Sequence, residues 1–460
     1  MNSTFFRMPV TIAVAALLLG CAQPVAMVPR VDVPTRWSAL AQADARDPIS
    51  RPDWWRNFND PLLDQLIDDA LERNNDLAAA AVRVYQAREQ AKLVDTNLSP
   101  SLTLGASGSL SASRYTGQQT QSGGIALSAS YEVDLWGKLA AQRDASAWEA
   151  HATEQDRQSA RLAVIATTAT LYWQLAYLNR QISLSSADIA DATRAVDLAG
   201  SRHRAGAASA LDVTLARLAL SNLEAEATQL VQQLAECRRA LAIVFDRPPE
   251  RLAPEREDLP DVAPLAIPAG LPVDLLRNRP DLRAAELRLR ASFADVEAAR
   301  ASFYPSLTLT GNMGTSSDTL LQVIRNPVAT LGLGLVLPFI EWNTMQHTIK
   351  VSQAEYEQAV IQFRQSLYQA LSEVENALSA RTQFDAQGRY LDLCVTEASR
   401  AEALAAARFR AGATSIQPWL DQQHALRDAQ RTQLLNRFER LVSQMTLYQA
   451  LGGGDIVPAG

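Results

Sequence analysis

Two stretches of this chain contain almost nothing that stops a helix. From Gly137 to Arg202 there is no proline, and glycine occurs only at Gly137 and Gly200. From Asn343 to Arg410 there is again no proline, and the one glycine is Gly388. Proline inside a helix costs about 3 kcal/mol and glycine about 1 kcal/mol relative to alanine, so runs this clean read as continuous helix. About 65 residues at ~1.5 Å each span close to 100 Å, against an average globular helix of roughly 11–12 residues. No single compact core can stabilise such a rod, which needs partners along its length.

The two rods belong to a duplicated unit. "RHRAGAASALDV" begins at Arg202 and "RFRAGATSIQPW" at Arg408, 206 residues later; "SPSLTL" from Ser99 returns as "YPSLTL" from Tyr304, and Trp136 returns as Trp342. Landmarks at nearly one offset mark a tandem pair, and the period is too long for a solenoid. Each copy opens with a helix, "DPLLDQLIDDALERNNDLAAAAVRVYQAREQAKLVD" or "PDLRAAELRLRASFADVEAARAS", with Asp60-Pro61 and Arg279-Pro280 as start signals. Gly206 and Gly412 suit the left-handed residue after a helix end, and the preceding arginines favour its negative pole. Return helices follow. Ala227, Leu230, Leu234, Cys237, Leu241 and Val244 step by three and four, as do Leu434, Phe438, Leu441, Met445 and Tyr448. That spacing is a coiled-coil seam, so the repeated motif is the tip of each of two antiparallel helical hairpins.

Between opening helix and rod, each copy alternates with period two. Ile125, Leu127, Ala129, Tyr131, Val133 and Leu135 are separated by mostly small or polar residues, and Leu331, Leu333, Leu335 and Leu337 do likewise around Gly332 and Gly334. Such alternation is the signature of a membrane β-barrel strand; a soluble hairpin with one buried face reads the same way. Four membrane strands are too few to close, because the smallest barrels have about 8 and an open edge is intolerable in lipid. The membrane reading therefore requires several copies to share one barrel, with the hairpins ringed into a tube.

The first twenty residues read as a signal peptide: Arg7, a short apolar run, then Leu18-Leu19-Gly20-Cys21. The last four resemble a bacterial lipobox, which would make Cys21 the first mature residue, carrying diacylglycerol and an acyl chain; a plain signal peptide with a chance cysteine is the alternative. Ala22 in place of aspartate points to the outer membrane. Cys237 and Cys394 lie at different heights from their tips, roughly 46 and 27 Å, too far apart for a disulfide, and are expected to be free and buried. The expected organisation is 1–20 signal peptide, 21–59 extended lipidated segment, 60–246 first repeat, 247–272 proline-rich linker, 273–453 second repeat and 454–460 tail. Strands are expected within about 99–135 and 304–341, and tips near 202–210 and 408–416. A net charge of -7 argues against nucleic acid, which needs a basic face.

"WWRNFNDPLLDQLIDDALERNNDL" from Trp54, "YEVDLWGK" from Tyr131 and "LPVDLLRNRPDLRAAE" from Leu271, with the two tips, resemble the signature runs of TolC-like outer-membrane factors, in the lipoprotein (NodT-type) branch of multidrug efflux systems. The resemblance covers nearly the whole mature chain. It implies a mainly α protein with membrane β: a homotrimer with four strands per chain in a shared 12-stranded barrel, continuous with a coiled-coil periplasmic tunnel. It implies a periplasmic adaptor (membrane-fusion) protein and an inner-membrane pump, usually of the RND class, as partners. Arg204, Ala205, Gly206, Arg410, Ala411 and Gly412 would then be adaptor-docking tips, besides capping their helices. Asp421 matches an acidic position at the family's tunnel mouth, and Asp212 is a weaker match; either could instead be a solvated aspartate at a helix start. Pro418 stands where the family has its other acid, and Phe409 and His203 stand where a tyrosine is usual, so no closing tyrosine bond carries over. Trp136 and Trp342 suit an aromatic belt at the membrane surface or a packed hinge.

No catalytic constellation stands out. His151, His203, His347 and His424 are scattered, "GASGS" at Gly105 lacks nucleophile-elbow spacing, and no phosphate loop or metal motif occurs; neither catalysis nor a cofactor is expected. The function expected is the exit duct of a tripartite efflux system. The alternatives are export of proteins or signal molecules, and a lipid-anchored coiled-coil spacer, which leaves the alternating segments unexplained.

Overall fold

Both clean runs are single helices in the computed structural model, which describes residues 31–38, 53–112, 114–115, 117–248, 253–260, 272–317 and 327–453. The chain divides into Met1–Asp32 and Val33–Gly460, and the architecture here is that of the second unit. Copy one runs α1 (Pro61–Arg73), α2 (Asn75–Asp95), β1 (Ser101–Ala112), β2 (Gln119–Val133), α3 (Lys138–Arg204) and α4 (Ala210–Val244). Copy two runs α5 (Pro280–Ala301), β3 (Ser306–Ser317), β4 (Pro327–Val336), α6 (Trp342–Arg410) and α7 (Gln417–Ala450). The rods α3 and α6 hold 67 and 69 residues. No described helix is long and apolar enough to cross a membrane.

The opening helix of copy one departs from the expected continuous span. Asn74 breaks it: its ψ is 126°, and its side chain accepts from the Leu77 N–H at 3.1 Å while donating to the Val244 carbonyl at 3.0 Å. An asparagine side chain that can cap a new helix competes with the old one, and here the bond to α4 decides the competition. Upstream, Asp60 is the N-cap and Pro61 follows it. Asp60 is buried, and one carboxylate oxygen accepts from the Leu62 and Leu63 N–H groups. The other accepts from the Tyr172 hydroxyl at 2.9 Å and Arg256 at 2.8 Å.

The two copies are packed into one body. Along its first part α3 lies against α2 and α5, where Arg88 meets Glu154 and Arg288 meets Asp156; further on it lies against α4 and α7, where Cys237 meets the Leu171 carbonyl and Arg431 approaches Asp188. The buried residues Leu162, Ile165, Ala169, Tyr172 and Ala176 recur every three or four positions, giving α3 one continuous apolar stripe. Gly388 lets α6 approach α7 closely: a Cβ there would come within 2.9 Å of the Asn436 side chain, which bonds the Phe384 carbonyl. An aromatic knot ties the start of copy one to the end of copy two, with Trp54 stacked on Tyr448 and Phe58 against Trp173.

Within the proline-rich segment, the described residues 253–260 lie on this body, fastened by Glu255 to Arg238, by Arg256 to Asp60 and by the Leu259 carbonyl to Arg437. Trp37 is buried as well, and the Ser38 N–H donates to Glu375 of α6 at 2.6 Å. Cys237 and Cys394 are both free, as expected, but Cys237 is buried and Cys394 is exposed. The expectation that Cys394 is buried is thus corrected: it lies in a stretch of α6 that still bonds to α7, through Gln433 to Asp392, but in which no described residue is buried between Gly388 and Ala406.

Candidate functional site

The first functional region is the sheet. Its order is β1-β2-β3-β4, antiparallel throughout, and the two copies meet at β2–β3. Pairs such as Leu104↔Leu127, Leu127↔Met313, Tyr131↔Leu309 and Leu309↔Leu333 place the alternating apolar residues of all four strands on one face. Thr103↔Ser128, Ser130↔Thr310 and Thr308↔Gly334 gather hydroxyls and glycines on the other. Nothing among the described residues covers the apolar face: Leu102, Leu104, Leu331 and Leu333 are 72%, 73%, 93% and 70% exposed. A monomeric soluble protein rarely tolerates a continuous apolar face this bare, and the outward-apolar, inward-polar pattern is that of a lipid-embedded barrel wall.

Trp136 and Trp342 lie where strands give way to rods. The Trp136 Nε1–H donates to the Pro305 carbonyl at 2.8 Å and its ring tilts on Tyr304; Trp342 begins α6 and is largely exposed. Asp134 accepts from the Leu139 and Ala140 N–H groups at 3.2 and 2.8 Å, capping α3 in place of its own N-cap, the left-handed Gly137.

The second region is the pair of tips. Gly206 and Gly412 have φ of 73° and 76°. Each donates its N–H three residues back, to His203 and Phe409, and the next residue donates five back, to Arg202 and Arg408. That is a Schellman closure, built identically twice. Arg204, Ala205, Gly206, Arg410, Ala411 and Gly412 are all exposed. His203 is exposed too, with Nδ1 2.9 Å from the Ala208 carbonyl.

The tips also hold each other, through residues that spacing did not single out. Phe409 and Ile416 are buried with Ala195, Ala199, Ala216 and Ala406, and Phe409 stacks on Trp419 at 5.4 Å. Arg202 lies 4.6 Å over the Phe409 ring and donates to the Phe409 carbonyl. It thereby places a cation at the negative end of α6. Asp212 belongs to a capping box with Ser209, whose hydroxyl and N–H it accepts at 2.7 and 2.8 Å. Its other oxygen accepts from the Ile416 N–H at 3.4 Å, at the start of α7, where Ile416 provides no cap of its own. The Ser209 hydroxyl bond, against some burial, holds the Asp212 carboxyl below the usual carboxylate range. Tip one thus caps both helix ends of tip two. Asp421, one turn into α7, is exposed and bonded only locally, to Gln417 at 2.6 Å. Cys21 lies outside the described residues.

An exposed apolar sheet continuous with paired helical hairpins defines an outer-membrane channel subunit of the tripartite efflux kind. Residues 66–244 and 271–453 each match the outer membrane efflux protein family, and the chain belongs to that family. It is 32% identical over 454 residues to the pyoverdine export outer membrane protein OpmQ of Pseudomonas putida, covering 95% of each chain. It is 29% identical to the probable outer membrane lipoprotein SilC of Salmonella typhimurium, over 96% of this chain and 98% of that one. The outer-membrane channel OprN superposes with a TM-score of 0.85 at 26% identity, over 93% of this chain and 98% of that one. The protein is an outer-membrane efflux component, and its two matched segments coincide with the two copies.

Proposed function

We propose that three copies of the chain close one 12-stranded barrel, β4 of each pairing with β1 of the next, above a tunnel of six helical hairpins. The duct passes small molecules, handed over by a periplasmic adaptor and an inner-membrane RND-type pump, to the exterior. The observation that carries this reading is the sheet itself, whose apolar face no described residue covers and whose edges β1 and β4 have no partner among the described residues. Unpaired backbone in hydrocarbon costs several kcal/mol per group, so a copy in lipid has to find another. The helices point the same way: Leu211, Leu218, Val231 and Ile243 of α4, and Tyr390, Leu393 and Leu404 of α6, are exposed apolar side chains that a ring of copies would cover.

Within that assembly Arg204, Ala205, Gly206, Arg410, Ala411 and Gly412 dock the adaptor, Trp136 and Trp342 mark the periplasmic membrane surface, and Cys21 carries the lipid. Of the two gate aspartates, Asp421 is the better placed to ring the mouth, because the Asp212 carboxylate is already engaged. Three carboxylates brought together favour cations. Purified mature protein is expected to run as a heat-resistant trimer in detergent and to conduct ions in planar bilayers, with Asp421→Asn reducing cation preference. A water-soluble monomer with no conductance would overturn the reading.

A further inference from the structure

We infer that Lys138 sets the ion preference of the duct at its neck by neutralising Glu132, the one charged side chain that the described strands place on the water-facing side of the sheet. β1, β3 and β4 carry no Asp, Glu, Lys or Arg, and β2 carries only Glu132. Register puts Glu132 opposite Thr308, next to the Ser130↔Thr310 pair, on the hydroxyl face. The Lys138 ammonium, on the first residue of α3, reaches back to the Glu132 carboxylate at 2.6 Å. Both side chains are mostly covered, at 24% and 34% exposure.

The other acid at this turn, Asp134, is spent on the N–H groups that begin α3. Copy two has nothing equivalent: the residues 206 further on are Pro338 and Thr344. The pair is therefore a single device per chain, at the junction of sheet and rod, in a wall otherwise lined by neutral hydroxyls. A pore with low-dielectric walls focuses the field of any unbalanced charge, and a ring of like charges biases which ions pass. While the pair is intact, Glu132 contributes little net field. Removing either partner leaves the other unbalanced once per chain around the neck.

The inference rests on the trimeric channel proposed above. The test uses the purified full-length protein in planar bilayers under a KCl gradient, reading the cation-to-anion permeability ratio from the reversal potential. A change in local potential of only about half of kT multiplies that ratio roughly threefold. Lys138→Gln is expected to raise the ratio by at least about that factor and Glu132→Gln to lower it by a similar one. The double variant and Lys138→Arg are expected to keep the wild-type ratio. Singles that leave the ratio unmoved, or that move it in the same direction, overturn the inference. If Lys138→Gln fails to assemble, Glu132→Gln alone decides, and an unchanged ratio refutes. Wild type that does not conduct would sink the channel reading, an outcome distinct from conducting wild type with silent variants.

Discussion

Replacing Phe409 by alanine tests whether the two tips are held together by packing as well as by their caps. Phe409 is 1% exposed, stacks on Trp419 at 5.4 Å and lies under the Arg202 guanidinium at 4.6 Å. Truncating a buried phenylalanine costs about 3–5 kcal/mol, and the stacking and cation–π contacts account for part of that. The penalty falls locally, because Phe409 belongs to a cluster of eight buried residues confined to the tips. Three kcal/mol, the lower bound, corresponds to about a hundredfold rise in local opening. Amide hydrogen exchange followed by mass spectrometry reads this directly. Peptides covering 192–222 and 402–422 are expected to lose about two orders of magnitude of protection, while those covering α1 and α5 keep theirs. An increase below tenfold, or one spread evenly over the protein, would refute the argument that this cluster is the fastening.

Three further outcomes follow from single contacts. Asp60→Ala removes an N-cap and leaves the buried Tyr172 hydroxyl without its acceptor, while Arg256 can turn to water, so stability in a denaturant titration should fall by about 2–4 kcal/mol; a loss under about 1 kcal/mol would mean the cap alone mattered. Cys237 is buried and its thiol is pushed up to about 11, whereas Cys394 is exposed; a maleimide at pH 7–8 should label Cys394 and spare Cys237 until the protein is denatured. The depressed Asp212 carboxyl makes its contribution to tip stability present above the unfolded value of about 3.9 and lost as pH falls through the lower, folded value. Tip exchange should therefore quicken only below about pH 4, and Asp212→Asn should abolish that acid limb; quickening between pH 5 and 7 would implicate another group.

The rods were legible because helix breakers are so costly that their absence over such lengths is itself a signal. The strands were legible because lipid demands strict alternation, and the tips because a left-handed glycine ends a helix at a fixed place. Local spacing says nothing, however, about a partner 200 residues away. Arg202 reads as one more basic residue in a last turn, and only the folded chain brings it to the Phe409 carbonyl. Asp212 reads as a helix-start acid, which it is, while its bond to the Ile416 N–H belongs to the packing of one hairpin on the other. The break at Asn74 was hidden for a similar reason: asparagine is tolerable within a helix until the Val244 carbonyl offers its side chain a bond. Cys394 was misjudged because a cysteine's place along a helix does not say which face it occupies, and it lies in a stretch of α6 with no buried residue between Gly388 and Ala406.

The duplicated halves have also ceased to be interchangeable, and the differences share a direction. At the neck, copy one caps its rod with Asp134 and pins the turn through Trp136, whereas α6 begins after Glu341 with no side-chain cap. At the tips, copy one caps its own return helix with Ser209 and Asp212 and lends Arg202 and Asp212 to copy two. The second return helix starts at Ile416 with no cap of its own. Hairpin one is therefore complete in itself, and hairpin two depends on it at both ends of its turn. When the ties loosen, hairpin one keeps its caps while hairpin two loses the cation at the end of α6 and the carboxylate at the start of α7. Fraying, and with it any widening of the mouth, should begin in copy two. In the wild-type protein, amides at 408–420 should exchange faster than those at 202–214; equal rates would mean that the borrowed caps contribute nothing.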